Sequence, residues 1–183
     1  MTANTSSQSA STSSTNSADS NSVLTQSSPF AARLLAWFNE RFPAPNALLF
    51  FMMYVSAAAI ARPTASEWNL ANDIIACLVT WSFFLLLRIF DEHKDYQIDL
   101  RNHPNRVLQS GLITLGNLRV LGALCLSAQR SWSLFQDYSA NGHVLGSATT
   151  AWLLMLGWTF LMGKEFFCGE WLEKHLTLYA FSH

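Results

Sequence analysis

Charge is scarce in this sequence. Only 13% of its 183 residues are Asp, Glu, Lys or Arg, while 50% are hydrophobic, a balance outside ordinary soluble usage. Such a chain has too few polar positions to clothe the solvent faces of several soluble helices, so a membrane protein is expected. Cysteine is sparse as well. Cys77, Cys125 and Cys168 are odd in number and far apart, which gives neither a disulfide framework nor the paired spacing of a zinc site. A formal net charge of −1 offers no reason to expect nucleic-acid binding. No internal repeat is visible. The N-terminal stretch has no basic start, no apolar core and no Arg before Arg33, which argues against a secretory signal and an organelle transit peptide. Residues 1–29 are instead almost all Ser, Thr, Asn, Gln and small residues. They cannot bury enough surface to offset the entropy of ordering, and a disordered tail is expected there. Residues 30–183 carry the folded part.

What is abundant is apolar length. Between Arg41 and Arg62 runs FPAPNALLFFMMYVSAAAIA, about the length that crosses a hydrocarbon core as a helix. It predicts a first span over 43–61. Arg62, Pro63 and Thr64 break it. A second span follows over 71–90, with Arg88 near enough to its end to snorkel outward. A third, over 112–131, is weakened by Arg119 and by Gly116 and Gly122, and a fourth, over 143–162, contains WLLMLGWTFLM. The expected fold is therefore all-α, a polytopic transmembrane helical bundle of about four spans. Arg33 and Arg41 precede the first span, Arg88, Lys94, Arg101 and Arg106 surround the connection after the second, and Lys164 and Lys174 follow the fourth. The basic bias puts these segments on the cytoplasmic side of a multi-pass protein, the inner membrane if the source is bacterial, although Arg62 and Arg130 lie opposite. After the fourth span, KEFFCGEWLEKH reads as an amphipathic interfacial segment. Phe166, Phe167, Trp171 and Leu172 would meet the headgroup boundary, with Glu165, Glu170 and Glu173 solvated.

The chemistry concentrates in RIFDEHKDYQIDLRNHPNRVLQSG, Arg88 to Gly111. On a helix, Asp91, Asp95 and Asp99 recur at i, i+4 and i+8 with Glu92 between their directions, an arc of about 100°. Carboxylates four apart on one face repel each other, so positive charge should compensate. Lys94, Arg101 and Arg106 could supply part of it. A divalent cation would serve better, since hard oxygen ligands suit Mg²⁺. Spacing alone leaves cation binding and a solvated helix face both open. His93, His103, His143 and His175 lack Cys or His companions at ligand spacing and read as interfacial hydrogen-bonding residues. The seven Trp residues read as interface anchors and core.

The same stretch resembles the first Asp-rich motif of the UbiA-type membrane prenyltransferase superfamily, which reads NDxxDxxxD followed shortly by RPxxSG after the second transmembrane helix. Asp91 stands where the family has Asn, Glu92 where it has the first Asp, and Asp95 and Asp99 match directly. His103, Pro104, Asn105 and Arg106 fit an HPxR element, Val107 replaces the usual Pro, and Ser110 and Gly111 complete it. The resemblance implies Mg²⁺-dependent transfer of a prenyl group from a polyprenyl diphosphate to an acceptor, usually aromatic or a quinone precursor, inside an all-helical bundle of about nine spans. On that reading Asp91, Glu92, Asp95 and Asp99 are metal and water ligands, Lys94 and Arg106 contact the diphosphate, and Ser110 and Gly111 shape the turn into the third span. The family's second Asp-rich motif has no counterpart among these residues. This sequence is therefore expected to be the N-terminal half of such a domain, inactive unless complemented.

Two other Mg²⁺ families fit less well. The DGxxDGxxAR pattern of CDP-alcohol phosphotransferases and the DDxxD of soluble polyprenyl synthases are both missing. From a different class, the chain could be a non-catalytic membrane subunit or a cation-binding element whose acidic stripe docks a metal or a basic partner.

Overall fold

The computed structural model describes residues 24–62, 64, 68–164 and 177, and the structural statements below concern those residues. They are all-helical, with no strand among them: α1 Phe30–Arg41, α2 Pro45–Ala61, α3 Leu70–Lys94, α4 Tyr96–Asn102, α5 Leu115–Asn141 and α6 Ser147–Gly163. The expected tail over residues 1–23 and the interfacial segment after Lys164 lie outside the described residues. Residues 24–29 form a turn, and Gln26 Nε2 donates to the Gly111 carbonyl at 3.4 Å.

Helix α1 was not foreseen. It carries Leu34, Trp37, Phe38 and Arg41 on one face, and Trp37 is fully buried. Pro43 then disfavours helical geometry at Phe42 before it, Pro45 opens α2 in its first turn, and the chain turns by 68° between the two helices. At the elbow Phe42 takes φ −142°, and its ring stacks on Phe50 at 5.4 Å and meets the edge of Trp81 at 5.4 Å. Phe50 continues the column onto Phe84, centroid to centroid 4.1 Å. Aromatic contact of this kind adds about 0.5–1.5 kcal/mol per pair beyond the area buried.

Helix α3 is the hub, packed on α2, α5 and α6. Asn69 caps it by accepting the Asn72 N–H at 3.1 Å, while Asp73 accepts the Asn69 N–H at 3.1 Å. Leu85, Leu86 and Ile89 face α5, whose buried stripe is Leu118, Gly122, Cys125, Gln129, Ser133 and Asp137. That spacing is one helical face, and its small members let the two helices approach closely. A Cβ at Gly122 would lie 3.5 Å from Leu86 Cδ1 and 3.6 Å from Ile89 Cγ2. Across this seam Gln129 Nε2 donates to Ser82 Oγ at 3.2 Å and Gln129 Oε1 accepts from Trp152 Nε1 at 3.2 Å.

The helix predicted over 112–131 is displaced, and α5 is not among the helices long and apolar enough to cross a membrane. Gly111, at φ +80°, turns the chain, and a reciprocal cap between Thr114 and Asn117 delays the start of α5 to Leu115. The helix then runs to Asn141, ten residues past the expected end, where Gly142 at φ +69° stops it. Helix α6 begins late because the turn before it is organised by Asp137. That carboxylate accepts the backbone N–H groups of Gly146 at 2.9 Å, Ala148 at 2.9 Å and Thr149 at 2.8 Å, satisfying donors that a helix start otherwise leaves open.

Helix α3, with 25 residues, is long and apolar enough to cross a membrane, and only 17% of its apolar window is buried by the rest of the protein. The bent pair α1 and α2 makes a second candidate if counted as one span. Helices α2 and α6 have 17 residues each, about 25 Å of rise against a core of about 30 Å. Their outward faces are apolar nonetheless: Leu48, Leu49 and Met52 on α2 and Leu154, Trp158 and Phe160 on α6 are exposed.

Candidate functional site at the end of helix α3

The acidic stretch does not form one continuous stripe. Lys94 ends α3, Asp95 takes φ −93° and ψ 2°, and α4 begins at Tyr96. The Asp95 N–H still donates to the Asp91 carbonyl at 2.8 Å and the Asp99 N–H to the Asp95 carbonyl at 2.9 Å. The break is thus a kink that keeps its backbone hydrogen bonds.

Each carboxylate meets a different environment. Asp91 is exposed, its Oδ2 3.9 Å from Arg88 Nη1. Asp95 is exposed at the kink. Glu92 is 1% exposed and lies against α1, where its Oε1 accepts from Arg41 Nε and, at 2.8 Å, from Arg88 Nη2. Arg41 then reaches past the kink, its Nη2 donating to Asp99 Oδ2 at 2.9 Å, and Arg106 Nη1 lies 2.7 Å from the same oxygen. Three guanidinium groups therefore neutralise Asp91, Glu92 and Asp99. The compensating charge expected from the sequence is present, with Arg41 and Arg88 joining Arg106 in the ion pairs and Lys94 acting on Asp91 through its charge. A buried ion of this kind persists only when paired and hydrogen-bonded.

The two residues expected to contact a diphosphate are separated. Lys94 lines a cavity of about 450 Å³ between the ends of α3 and α6, with Asp91, His93, Phe90, Phe160 and Lys164. Arg106 lines another of about 310 Å³, with Glu40, Asn102, His103, Pro104 and Asn105. Glu40 Oε2 accepts the Val107 N–H at 3.0 Å, which ties α1 to the turn that carries Arg106. His93 bonds the Ile89 carbonyl through Nδ1 at 2.8 Å, and its Nε2 faces Arg119 Nε at 3.4 Å.

For Mg²⁺ the donor chemistry is suitable and the arrangement is not. Glu92 Oε2 is buried and has no hydrogen-bond partner, yet the nearby Asp99 Oδ2 is held by Arg41 and Arg106. Among the described residues no three His, Cys, Asp or Glu side chains converge as a metal-holding group. The residues as arranged do not fit the ion.

Arg88 was legible as a partner, since Arg88 and Glu92 are four apart on one helix. Arg41 was not, because nothing local connects it to residues 51 and 58 positions away. Lys164 had been read only as a marker of orientation. No family model, curated protein or solved structure matches the chain.

Proposed function

We propose that this chain is a four-span membrane protein that binds a prenyl diphosphate at its cytoplasmic face and serves prenyl transfer to an aromatic or quinone-precursor acceptor. The observation that carries the proposal is the cavity where Lys94 and Lys164 meet Asp91, with Phe90 and Phe160 on its wall. Two ammonium groups beside aromatic rings suit an amphiphile with an anionic head and a hydrocarbon tail. The resemblance of Asp91–Gly111 to the UbiA-type motif names that amphiphile. The four-span arrangement has α2, α3, α5 and α6 crossing, supported by the apolar outward faces of α2 and α6, and the basic bias sets the acidic motif in the cytoplasm.

In this reading the lysines hold the diphosphate by charge. As the carbon–oxygen bond breaks, its electron pair stays on the diphosphate, the acceptor attacks the allylic carbon and the proton it displaces passes to the released diphosphate; the lysines stabilise the charge that develops on the leaving oxygen. Glu92 and Asp99 act on the fold, holding α1 and α4 to the end of α3 through Arg41. Carboxylates for Mg²⁺ would have to come from elsewhere than this network, and turnover would need them.

The test is equilibrium binding of farnesyl diphosphate, against farnesol, to the full chain in nanodiscs. The diphosphate should bind at least tenfold more tightly than the alcohol, and Lys94→Gln or Lys164→Gln should each remove about tenfold, the worth of one charged hydrogen bond. Equal binding of alcohol and diphosphate would overturn the proposal. The neutralisation of Glu92 and Asp99 by arginine favours a second reading, a non-catalytic membrane subunit held together by an ion-pair network. That reading expects no preference for the diphosphate.

A further inference from the structure

A third cavity lies between the helices of the bundle. It has a volume of about 520 Å³ and is walled by α2, α3, α5 and α6. Gln129, on its lining, bonds Ser82 of α3. Ser82 is ten positions before Glu92, or about 15 Å along the axis, so this cavity is separate from the one that holds Lys94.

Its walls are mostly aromatic and aliphatic, including Met53, Phe83, Phe84, Trp152 and Met155. Helix α5, however, presents a polar stripe to it: Gln129, Ser133 and Gln136, at i, i+4 and i+7. Gln129 is 1% exposed. Its Nε2 donates one hydrogen to Ser82 and its Oε1 accepts from Trp152, which leaves the second amide hydrogen unspent. Ser133 donates its proton to the Arg130 carbonyl at 2.9 Å and keeps its acceptor lone pairs. The Gln136 carboxamide hydrogen-bonds no described residue. Among the described residues the lining carries no charged side chain.

A pure hydrocarbon filling this space would leave those amide groups unpaired, which costs free energy away from water. The charged pair behind the wall, Arg62 with Asp73, bonds the hydroxyl of Tyr54 on the lining and is already satisfied, so an ionised headgroup would have to compete with Asp73 for its cation. We infer that the cavity binds an uncharged, ring-bearing, lipid-soluble molecule that carries a carbonyl or hydroxyl group. Its ring packs on Trp132, Trp152 and Phe84, and its polar atom pairs with the carboxamides of α5. The volume lies within the usual range for a small-molecule site, and the inference stands apart from diphosphate binding.

The test uses three probes of one shape, 2-naphthol, naphthalene and 2-naphthoate, bound to the full chain in nanodiscs with empty nanodiscs subtracted. 2-Naphthol should bind saturably and about tenfold more tightly than naphthalene, the worth of one hydrogen bond made out of water, and 2-naphthoate should bind more weakly than either. Gln136→Leu should abolish the preference for the hydroxyl and keep naphthalene binding. Ala151→Phe, which fills the cavity from α6, should abolish saturable binding of both while leaving farnesyl diphosphate binding intact. Equal affinities for 2-naphthol and naphthalene, a preference that survives Gln136→Leu, or saturable binding that survives Ala151→Phe would each overturn the inference.

Discussion

Arg41 and Asp99, 58 positions apart in sequence, are joined at 2.9 Å between Nη2 and Oδ2. The same guanidinium holds Glu92 through Nε, so one side chain of α1 bridges both sides of the kink between α3 and α4. Removing it strands a carboxylate that is 1% exposed with Arg88 as its remaining partner. Arg41→Gln should therefore cost about 3 kcal/mol, the low end for breaking a buried pair. Denaturant titration in detergent micelles checks this, and Arg88→Gln in the same background should cost more than the sum of the two single changes because Glu92 is then unpaired.

The cap on α6 should matter to stability. The Asp137 carboxylate accepts the N–H groups of Gly146, Ala148 and Thr149, and an amide in its place offers one acceptor oxygen for three donors. Asp137→Asn should therefore lower the thermal unfolding midpoint by several degrees, and an unchanged midpoint would show that the cap contributes nothing.

Gly146 should tolerate no side chain. A Cβ there would lie 2.6 Å from Asp137 Oδ1 and 2.8 Å from its Cγ, inside contact distance of a carboxylate held by three hydrogen bonds, one to Oδ1 and two to Oδ2. Gly146→Ala should lower the unfolding midpoint by several degrees. Gly157→Ala on α6, where a Cβ meets nothing within 4 Å, should leave it unchanged or slightly raised.

The hydrogen bond between Gln129 and Ser82 joins α5 to α3 inside the bundle. Interhelical bonds in such settings contribute about 0.6 kcal/mol on average and rarely exceed about 1.7. A double-mutant cycle of Ser82→Ala with Gln129→Leu should return a coupling in that range. A coupling near zero would reduce this contact to coincidental proximity.

Orientation is open to labelling. In the proposed four-span arrangement the C-terminal end of α3 and that of α5 lie on opposite sides of the membrane. Asp95→Cys and Asn141→Cys, each introduced after Cys77, Cys125 and Cys168 are changed to Ser, should react with a membrane-impermeant maleimide from opposite faces of oriented vesicles. Reaction of both from one face would remove the arrangement.

The helices around Phe50, Leu86 and Trp158 were legible because an apolar run of that length has few other fates. Their ends were not. The start of α5 depends on the Thr114 and Asn117 cap, and that of α6 on a carboxylate contributed by α5. Each is a choice among hydrogen-bond partners that hydropathy does not register. At the site, the carboxylates of Asp91, Glu92, Asp95 and Asp99 are visible as a cluster in the sequence. The kink at Asp95, which interrupts the single helix that their spacing suggests, is not. Arg41 escaped notice because its role exists only once α1 has folded back on α3, a long-range relation with no periodic signature.

The 68° elbow after Phe42 gives α1 the mechanics of a lever. Its arm is 12 residues, about 18 Å, and Arg41 sits at the fulcrum. The arm is latched along that length, by Arg33 to the Leu112 carbonyl, by Glu40 to the Val107 N–H and by Arg41 to Glu92 and Asp99, so it can turn about the elbow only as these bonds release together. The far end of this arm and the carboxylates after α3 are thereby one mechanical unit, although neither touches the other.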